Sequence, residues 1–369
     1  MSKESPIRIL HVVTYMGRGG LETMLMNYYR HIDRSKLQFD FLVHRDFRAD
    51  YDDEIETLGG HIFRISRLVP WSRRYLNELE RFFRSHPEYK IVHVHQDCLS
   101  SVILKVAQKC GVPVRIAHSH SNSQDRNLKY RIKLFYKRQI PACATQLFAC
   151  GEEAGDWMFN GAPYQIVNNA IDTAQYAFDL ERRNLMRSAL GLPTDTFAIG
   201  HVGRFHMVKN HKFLLDVFAE IKRKRANAVL LLVGDGDLRQ EMEKKAALLG
   251  ISDSVIFTGV RSDVSDLMQV MDCFVFPSLY EGLPVTLMEA QAAGLPCIVS
   301  DGVPVECDKT GLVRHFPLSV GAAHWAEEIL KIPASSRRDT SDQIVQAGYD
   351  IAANAKWLQS FYLEQWKEA

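Results

Sequence analysis

Cysteine is sparse in this chain of 369 residues: seven, at positions 98, 110, 143, 150, 273, 297 and 307, an odd number that forms no C-x-x-C pair. That argues against a disulfide framework or a thiolate zinc site and makes most of them small core residues. Long apolar runs are also missing. Nothing approaches the roughly 20 residues that a membrane-spanning helix needs, and Met1–Arg8 is polar and charged, unlike a signal peptide. A cytoplasmic protein is expected. Charge of either sign is not in excess, with 45 Lys and Arg against 44 Asp and Glu, so wholesale nucleic-acid binding is not indicated. A chain that is 46% hydrophobic and 24% charged is not disordered. At roughly 100 to 200 residues per domain, the length suggests two domains, each with its own core.

What is present is repetition. Arg8–Val13, Phe39–Val43, His61–Ile65, Ile91–His95, Val114–Ala117 and Gln146–Ala149 read as strands, separated by amphipathic stretches such as Leu21–His31, Trp71–Ser85 and Leu99–Lys109. This βαβ alternation predicts a parallel sheet with helices on both faces. Asn168–Asn184 is polar and reads as irregular. The pattern then restarts with strands at Phe197–Val202, Val229–Val233, Val255–Phe257, Cys273–Phe276 and Cys297–Val299. Helices are expected at Asn210–Lys224, Leu238–Leu249 and from Pro284 to a Gly294 stop. The basic end Lys222-Arg-Lys-Arg225 suits a helix C-terminus better than nucleic acid. The tail Tyr349–Trp366 is helical in pattern and is expected to pack back on the first domain. Two tandem α/β sheets place functional residues in the loops after the strands.

Three of those loops carry chemistry. Thr14–Glu22 holds three glycines before a helix start, which allows close backbone approach and offers N–H groups to an anion. It lacks the G-x-G-x-x-G spacing and is read equally well as a tight turn. Gly203–Asn210 places the planar, multidentate Arg204 and the point charge of Lys209 near a helix start, a pair suited to two linked phosphates. Phe276–Pro296 puts Glu281 in a loop and Glu289 inside an otherwise apolar helix. A carboxylate there is costly to desolvate unless something donates to it, as sugar hydroxyls would; the bland alternative is an exposed helical Glu.

This set of residues resembles the retaining nucleotide-sugar glycosyltransferases of glycosyltransferase family 4, which have the GT-B fold. The similarity runs over nearly the whole chain through Gly-Gly-Leu-Glu22, Ile116-Ala-His-Ser-His120, Ile166–Thr173, Val202-Gly-Arg-Phe205 with Lys209, Val233-Gly-Asp-Gly236, Phe257-Thr-Gly-Val260 and the E-x7-E pair Glu281 and Glu289. The E-x7-E pair is its most specific element. The wording around Lys209–Phe213 and Thr310–Val313 is similar to the subgroup that builds bacterial exopolysaccharide or capsule. The resemblance implies an α/β fold of two doubly wound, Rossmann-like domains facing each other across a cleft. Residues 1–170 would be the acceptor-binding domain, joined by a returning helix 350–369, and residues 171–349 the nucleotide-sugar donor domain.

By the same resemblance, Arg204 and Lys209 hold the donor diphosphate, Glu289 accepts the ribose hydroxyls, and Glu281 contacts the transferred sugar. Backbone at Val260 and Arg261 reads the base, Gly19 and Gly20 approach the phosphates, and His120 sits beside the donor sugar. Catalytic roles fall to His120, Glu281, Arg204 and Lys209. Pro284, without an N–H, stands where many members have glycine, so amides near Gly282, Val285 and Thr286 would serve the diphosphate. Asp301–Glu306 also departs from the glycine-rich segment usual there. The implied reaction is glycosyl transfer with retained anomeric configuration, by front-face attack. The donor would be a nucleotide sugar, UDP-linked, and the acceptor a glycan hydroxyl on a lipid carrier. No metal and no other cofactor is expected, because cations and helix N-termini can stabilise the leaving diphosphate.

Two other readings compete. His93, His95, His118 and His120 pair at strand ends in metal-ligand geometry and could serve a metal-dependent hydrolase. A non-catalytic nucleotide-sugar-binding protein is the other. Separately, Arg126–Arg138 holds six cations and no acid, with Leu128, Ile132 and Phe135 on one helical face. This suggests peripheral contact with an anionic membrane at the inner face of the plasma membrane, the alternative being a core-facing helix with a solvated rim.

Overall fold

The structure is a computed structural model that describes residues 5–121, 130–333 and 337–369. The chain divides into two units. The first runs to Ala170 and takes back Ile351–Ala369; the second is Ile171–Asp350.

The first unit holds a parallel sheet of seven strands: β1 (Ile7–Val13), β2 (Leu37–Val43), β3 (Ile62–Arg64), β4 (Ile91–Val94), β5 (Val114–Ser119), β6 (Gln146–Ala149) and β7 (Gln165–Ile166). Their order is β3-β2-β1-β4-β5-β6-β7, so the direction of winding reverses between β1 and β4. Side chains alternate between faces along each strand. Ile9 and Val13 of β1 join Phe39, Phe41, Ile91, Ile116 and Phe148 on one face. Leu10 and Val12 join Leu42, Val92, Val94 and Ala117 on the other. The first face is closed by helix Gly20–His31 and by helix Ile351–Glu368, which buries Ile351, Ala355, Leu358 and Tyr362. The tail therefore packs back on the first unit, as its periodicity predicts.

The second unit repeats the design with six parallel strands: β8 (Phe197–Val202), β9 (Ala228–Val233), β10 (Val255–Gly259), β11 (Cys273–Phe276), β12 (Cys297–Ser300) and β13 (Val313–Phe316). Their order is β10-β9-β8-β11-β12-β13, and the reversal lies between β8 and β11. Helix His211–Lys224 buries Leu214, Val217, Phe218 and Ile221 against this sheet, with Trp325 beyond.

The stretch read as irregular, Asn168–Asn184, instead contains one helical turn, Thr173–Tyr176, and the start of helix Leu180–Ala189. The side chains of Asp172 and Asp179 cap them, Asp179 accepting from the amides of Glu181 (2.8 Å) and Arg182 (3.0 Å). An apolar stripe is absent because the second helix is held by ions: Arg183 reaches Asp272 at 2.5 Å, and Arg187 is buried against the carbonyls of Val270 and Pro193. Leu180 and Leu185 stay exposed. Among the described residues, no helix is long and apolar enough to cross a membrane.

Candidate active site

In the second unit the loops after β8, β9 and β10 are laced backbone to backbone. The amide of Gly203 donates to Val233 O (2.9 Å), that of Phe205 to Asp235 O (3.0 Å) and that of Gly234 to Gly259 O (2.9 Å). Gly234 has φ +133°, and a Cβ there would lie 2.2 Å from Gly203 O, so only glycine fits. This lacing fixes the start of the Arg204 loop, with the Arg204 side chain exposed. A 3-10 turn, Met207–Lys209, and the left-handed Asn210 (φ 54°) then turn the chain into helix His211–Lys224. The loop after β11 is tied to the same place, Leu279 N donating to Val208 O (2.8 Å) and Asn210 Nδ2 to Pro277 O (3.1 Å).

These ties bring Lys209 and Glu281 together. Lys209 Nζ donates to Glu281 Oε1 at 2.7 Å and lies 4.6 Å from the centre of the Phe276 ring. Both side chains are largely buried. Glu281 N in turn donates to Gly302 O at 2.9 Å, so the departing segment Asp301–Glu306 helps to place the carboxylate. Pro284 proves to be the N-cap of helix Val285–Ala292 and not its first residue, and the amides of Val285 and Thr286 open that helix. Gly282 is half-buried just before it.

Glu289 is not an exposed helical Glu: it is 4% exposed. Its Oε1 accepts a 2.8 Å hydrogen bond from the Tyr176 hydroxyl. Desolvation pushes its carboxyl up to about 7, and the Tyr176 bond opposes that shift. Tyr176 lies in the capped turn of the stretch read as irregular, and nothing in its local sequence points 113 residues ahead to Glu289. Val260 is half-exposed after β10, and Arg261 is paired with Asp263 at 2.8 and 2.6 Å.

In the first unit, Gly19 is the N-cap of helix Gly20–His31. A Cβ on Gly20 would meet nothing within 4 Å, so no protein contact requires glycine there. His120 follows β5 and is half-buried. Behind it, on the face covered by the tail helix, lie His11, His93, His95 and His118, each at most 4% exposed. His120 Nε2 meets His95 Nδ1 at 2.9 Å, and His95 Nε2 meets His11 Nδ1 at 3.1 Å. A second line joins His118 Nδ1 to His93 Nε2 (3.2 Å) and His93 Nδ1 to the Tyr362 hydroxyl (2.6 Å). Burial pulls His11 and His120 down to about 3 and the other three well below their ordinary value, so all five rings are neutral. His11 and Tyr362 join the four histidines through strand order and the returning tail, which their own sequence neighbourhoods do not announce.

Two family models match the chain: that of the group 1 glycosyl transferases over residues 182–315, and that of glycosyltransferase family 4 over residues 18–175. A putative glycosyltransferase, EpsF of Bacillus subtilis, is 39% identical over 368 residues, 96% of each chain. The chain belongs to these glycosyltransferases. An Escherichia coli relative, the UDP-Gal:alpha-D-GlcNAc-diphosphoundecaprenol alpha-1,3-galactosyltransferase, is 28% identical over 58% of each chain. Among solved structures, Anabaena Alr3699/HepE in complex with UDP-glucose superposes with a TM-score of 0.78 at 16% identity, covering 97% of this glycosyltransferase and 99% of that chain. The fold is thus GT-B, two Rossmann-like domains. A metal hydrolase is not favoured by this membership, although two histidine trios, His11–His93–His95 and His95–His118–His120, each bring ring nitrogens within 4.8 Å of one another. The sequence also contains two Asp-x-Asp triplets, a pattern that serves as a metal ligand pair elsewhere, and arginines engage both. In Asp50-Tyr-Asp52, Asp52 is paired with Arg64; in Asp235-Gly-Asp237, Asp235 is paired with Arg239.

Proposed function

We propose that the chain is a retaining, metal-independent glycosyltransferase of exopolysaccharide or capsule biosynthesis. It moves a sugar from a UDP-linked donor to a hydroxyl of a glycan acceptor carried on a lipid. The observation that carries this reading is the contact between Lys209 and Glu281 beside the reversal of the six-stranded sheet, the place where open α/β sheets bind ligands. Arg204 and Lys209 neutralise the β-phosphate as it leaves, with the opening amides of helix Val285–Ala292 adding the positive end of the helix dipole. Glu281 meets hydroxyls of the transferred sugar and Glu289 those of the ribose. Backbone at Val260 and Arg261 reads the base. From the first unit, Gly19 and Gly20 approach the phosphates and His120 the donor sugar; the open space at Gly20 supports that reading. The acceptor hydroxyl attacks from the face that the leaving group vacates, and the configuration is kept. The names of the E. coli galactosyltransferase and of the HepE complex support UDP as the nucleotide.

The test is incubation of the protein with a panel of UDP-, GDP- and ADP-sugars and lipid-diphosphate acceptors, followed by mass spectrometry and by NMR of the anomeric proton. UDP release with an α-product from an α-donor is expected. Turnover of GDP- or ADP-sugars only, or an inverted product, would overturn the reading, and binding of UDP-sugars without any release would leave a non-catalytic binder.

A further inference from the structure

The two lines of histidines in the first unit end differently. The line His11–His95–His120 starts at a nitrogen, His11 Nε2, that is buried and has no hydrogen-bond partner. It finishes at His120, the only one of the five rings that is not fully buried. A neutral imidazole has one N–H and one lone pair, so the proton position in one ring dictates the next. If the chain of bonds pointed inward, His11 Nε2 would carry a buried N–H with no hydrogen-bond acceptor. If it points outward, that nitrogen is a bare lone pair, and orphaned lone pairs are better tolerated in protein interiors than orphaned N–H groups.

We propose that His95, held by His11, is a positioning residue that keeps His120 protonated on Nδ1, so that His120 acts on its ligand as a hydrogen-bond donor and not as a base. The protons sit as follows. His11 Nδ1–H donates to His95 Nε2, His95 Nδ1–H donates to His120 Nε2, and His120 Nδ1–H remains for an acceptor oxygen. The functional half of this rests on the reading above that His120 lies beside the donor sugar; the acceptor would then be a sugar hydroxyl oxygen. A donor there orients the sugar without removing a proton from it, which suits front-face attack, where the acceptor's proton leaves with the departing phosphate.

The experiment uses the full chain with 15N-labelled histidine, whose ring nitrogens report the tautomer directly. His120 is expected to show a protonated Nδ1 and a bare Nε2. His95→Phe should shift part of that population to Nε2–H and lower kcat about tenfold, the worth of one hydrogen bond, with the donor KM changed less than twofold. His95→Asn, which keeps an N–H near the Nδ1 position, should preserve the wild-type tautomer and most of the turnover. If His95→Phe does not fold, His95→Gln, whose amide misses that position, takes its place. A His120 protonated on Nε2 in the wild type, or one indifferent to both His95 variants, overturns the proposal. So does a stoichiometric metal in the purified protein whose removal moves these resonances. Expected tautomers together with unimpaired turnover in His120→Ala would sink the placement of His120 beside the sugar, and with it the functional half, while the UDP-release assay would still judge the glycosyltransferase reading.

Discussion

Replacing Glu289 by Gln isolates the cost of burying a charge in the donor domain. The carboxyl is 4% exposed with one protein donor, Tyr176, and its folded-state value of about 7 stands above the ordinary 4.5. A raised carboxyl value means that the folded state holds its proton more tightly than the unfolded state. Stability from this group is therefore full below pH 4.5, falls as pH rises towards 7, and levels off above. At 1.36 kcal/mol per pH unit, the difference between those two values amounts to about 3 kcal/mol at pH 8. Glu289→Gln keeps the acceptor for Tyr176 and cannot ionise. It leaves an amide N–H₂ to satisfy, at a cost of about 1 to 3 kcal/mol that is the same at every pH. The quantity to read is thus the change in the variant-minus-wild-type difference. Urea unfolding of the second unit's transition, followed at pH 5 and pH 8, should show the variant gaining about 2.5 kcal/mol relative to wild type between the two, the rest of the effect lying below pH 5. A difference that does not move with pH would refute the desolvation argument.

Arg204→Ala and Lys209→Ala should each weaken UDP binding about 10- to 100-fold by calorimetry, as charge-assisted phosphate contacts are worth about 1.5 to 3 kcal/mol; unchanged affinity in both would remove the diphosphate assignment. Glu281→Ala should lower kcat more than it weakens UDP binding and Glu289→Ala the reverse, with an exchange of the two effects reversing their roles. Turnover should survive EDTA, and inhibition rescued by zinc would bring the histidines back as ligands. On the membrane question, helix Tyr130–Lys137 exposes Ile132 and Phe135, whereas Lys137 is buried with its Nζ 4.4 Å from the centre of the Trp157 ring, and residues 126–129 lie outside the described residues. Replacing Arg131, Lys133 and Arg138 by Gln should therefore abolish low-salt binding to anionic vesicles, and equal binding to neutral vesicles would end that idea.

The strands of both sheets are legible in the sequence because strands buried on both faces must be apolar runs, and a parallel sheet must alternate them with helices. The edges were not. β7 has only two residues, and both are exposed, so no burial pattern marks it. Helix Leu180–Ala189 is held by guanidinium contacts to carbonyls and carboxylates, which periodicity cannot register. At the site, residue chemistry singled out Arg204, Lys209, Glu281 and Glu289, but not what each touches. The Lys209–Glu281 bond spans 72 residues and the Tyr176–Glu289 bond 113, and both depend on which strand lies beside which.

The returning tail helix sets the order in which the protein can be made. The second unit is one continuous stretch, Ile171–Asp350, and can close as soon as it clears the ribosome. The first unit cannot, although it is translated first. The face of its sheet that carries Phe39, Ile116 and Phe148 is sealed by Ile351, Ala355, Leu358 and Tyr362. At about 5 to 20 residues per second, the second unit takes roughly 10 to 40 seconds to synthesise. For that long the nascent first domain presents an apolar, histidine-lined face covered only in part, by helix Gly20–His31, which makes it a natural client for chaperones and makes any stall or cleavage before Ile351 a route to aggregation.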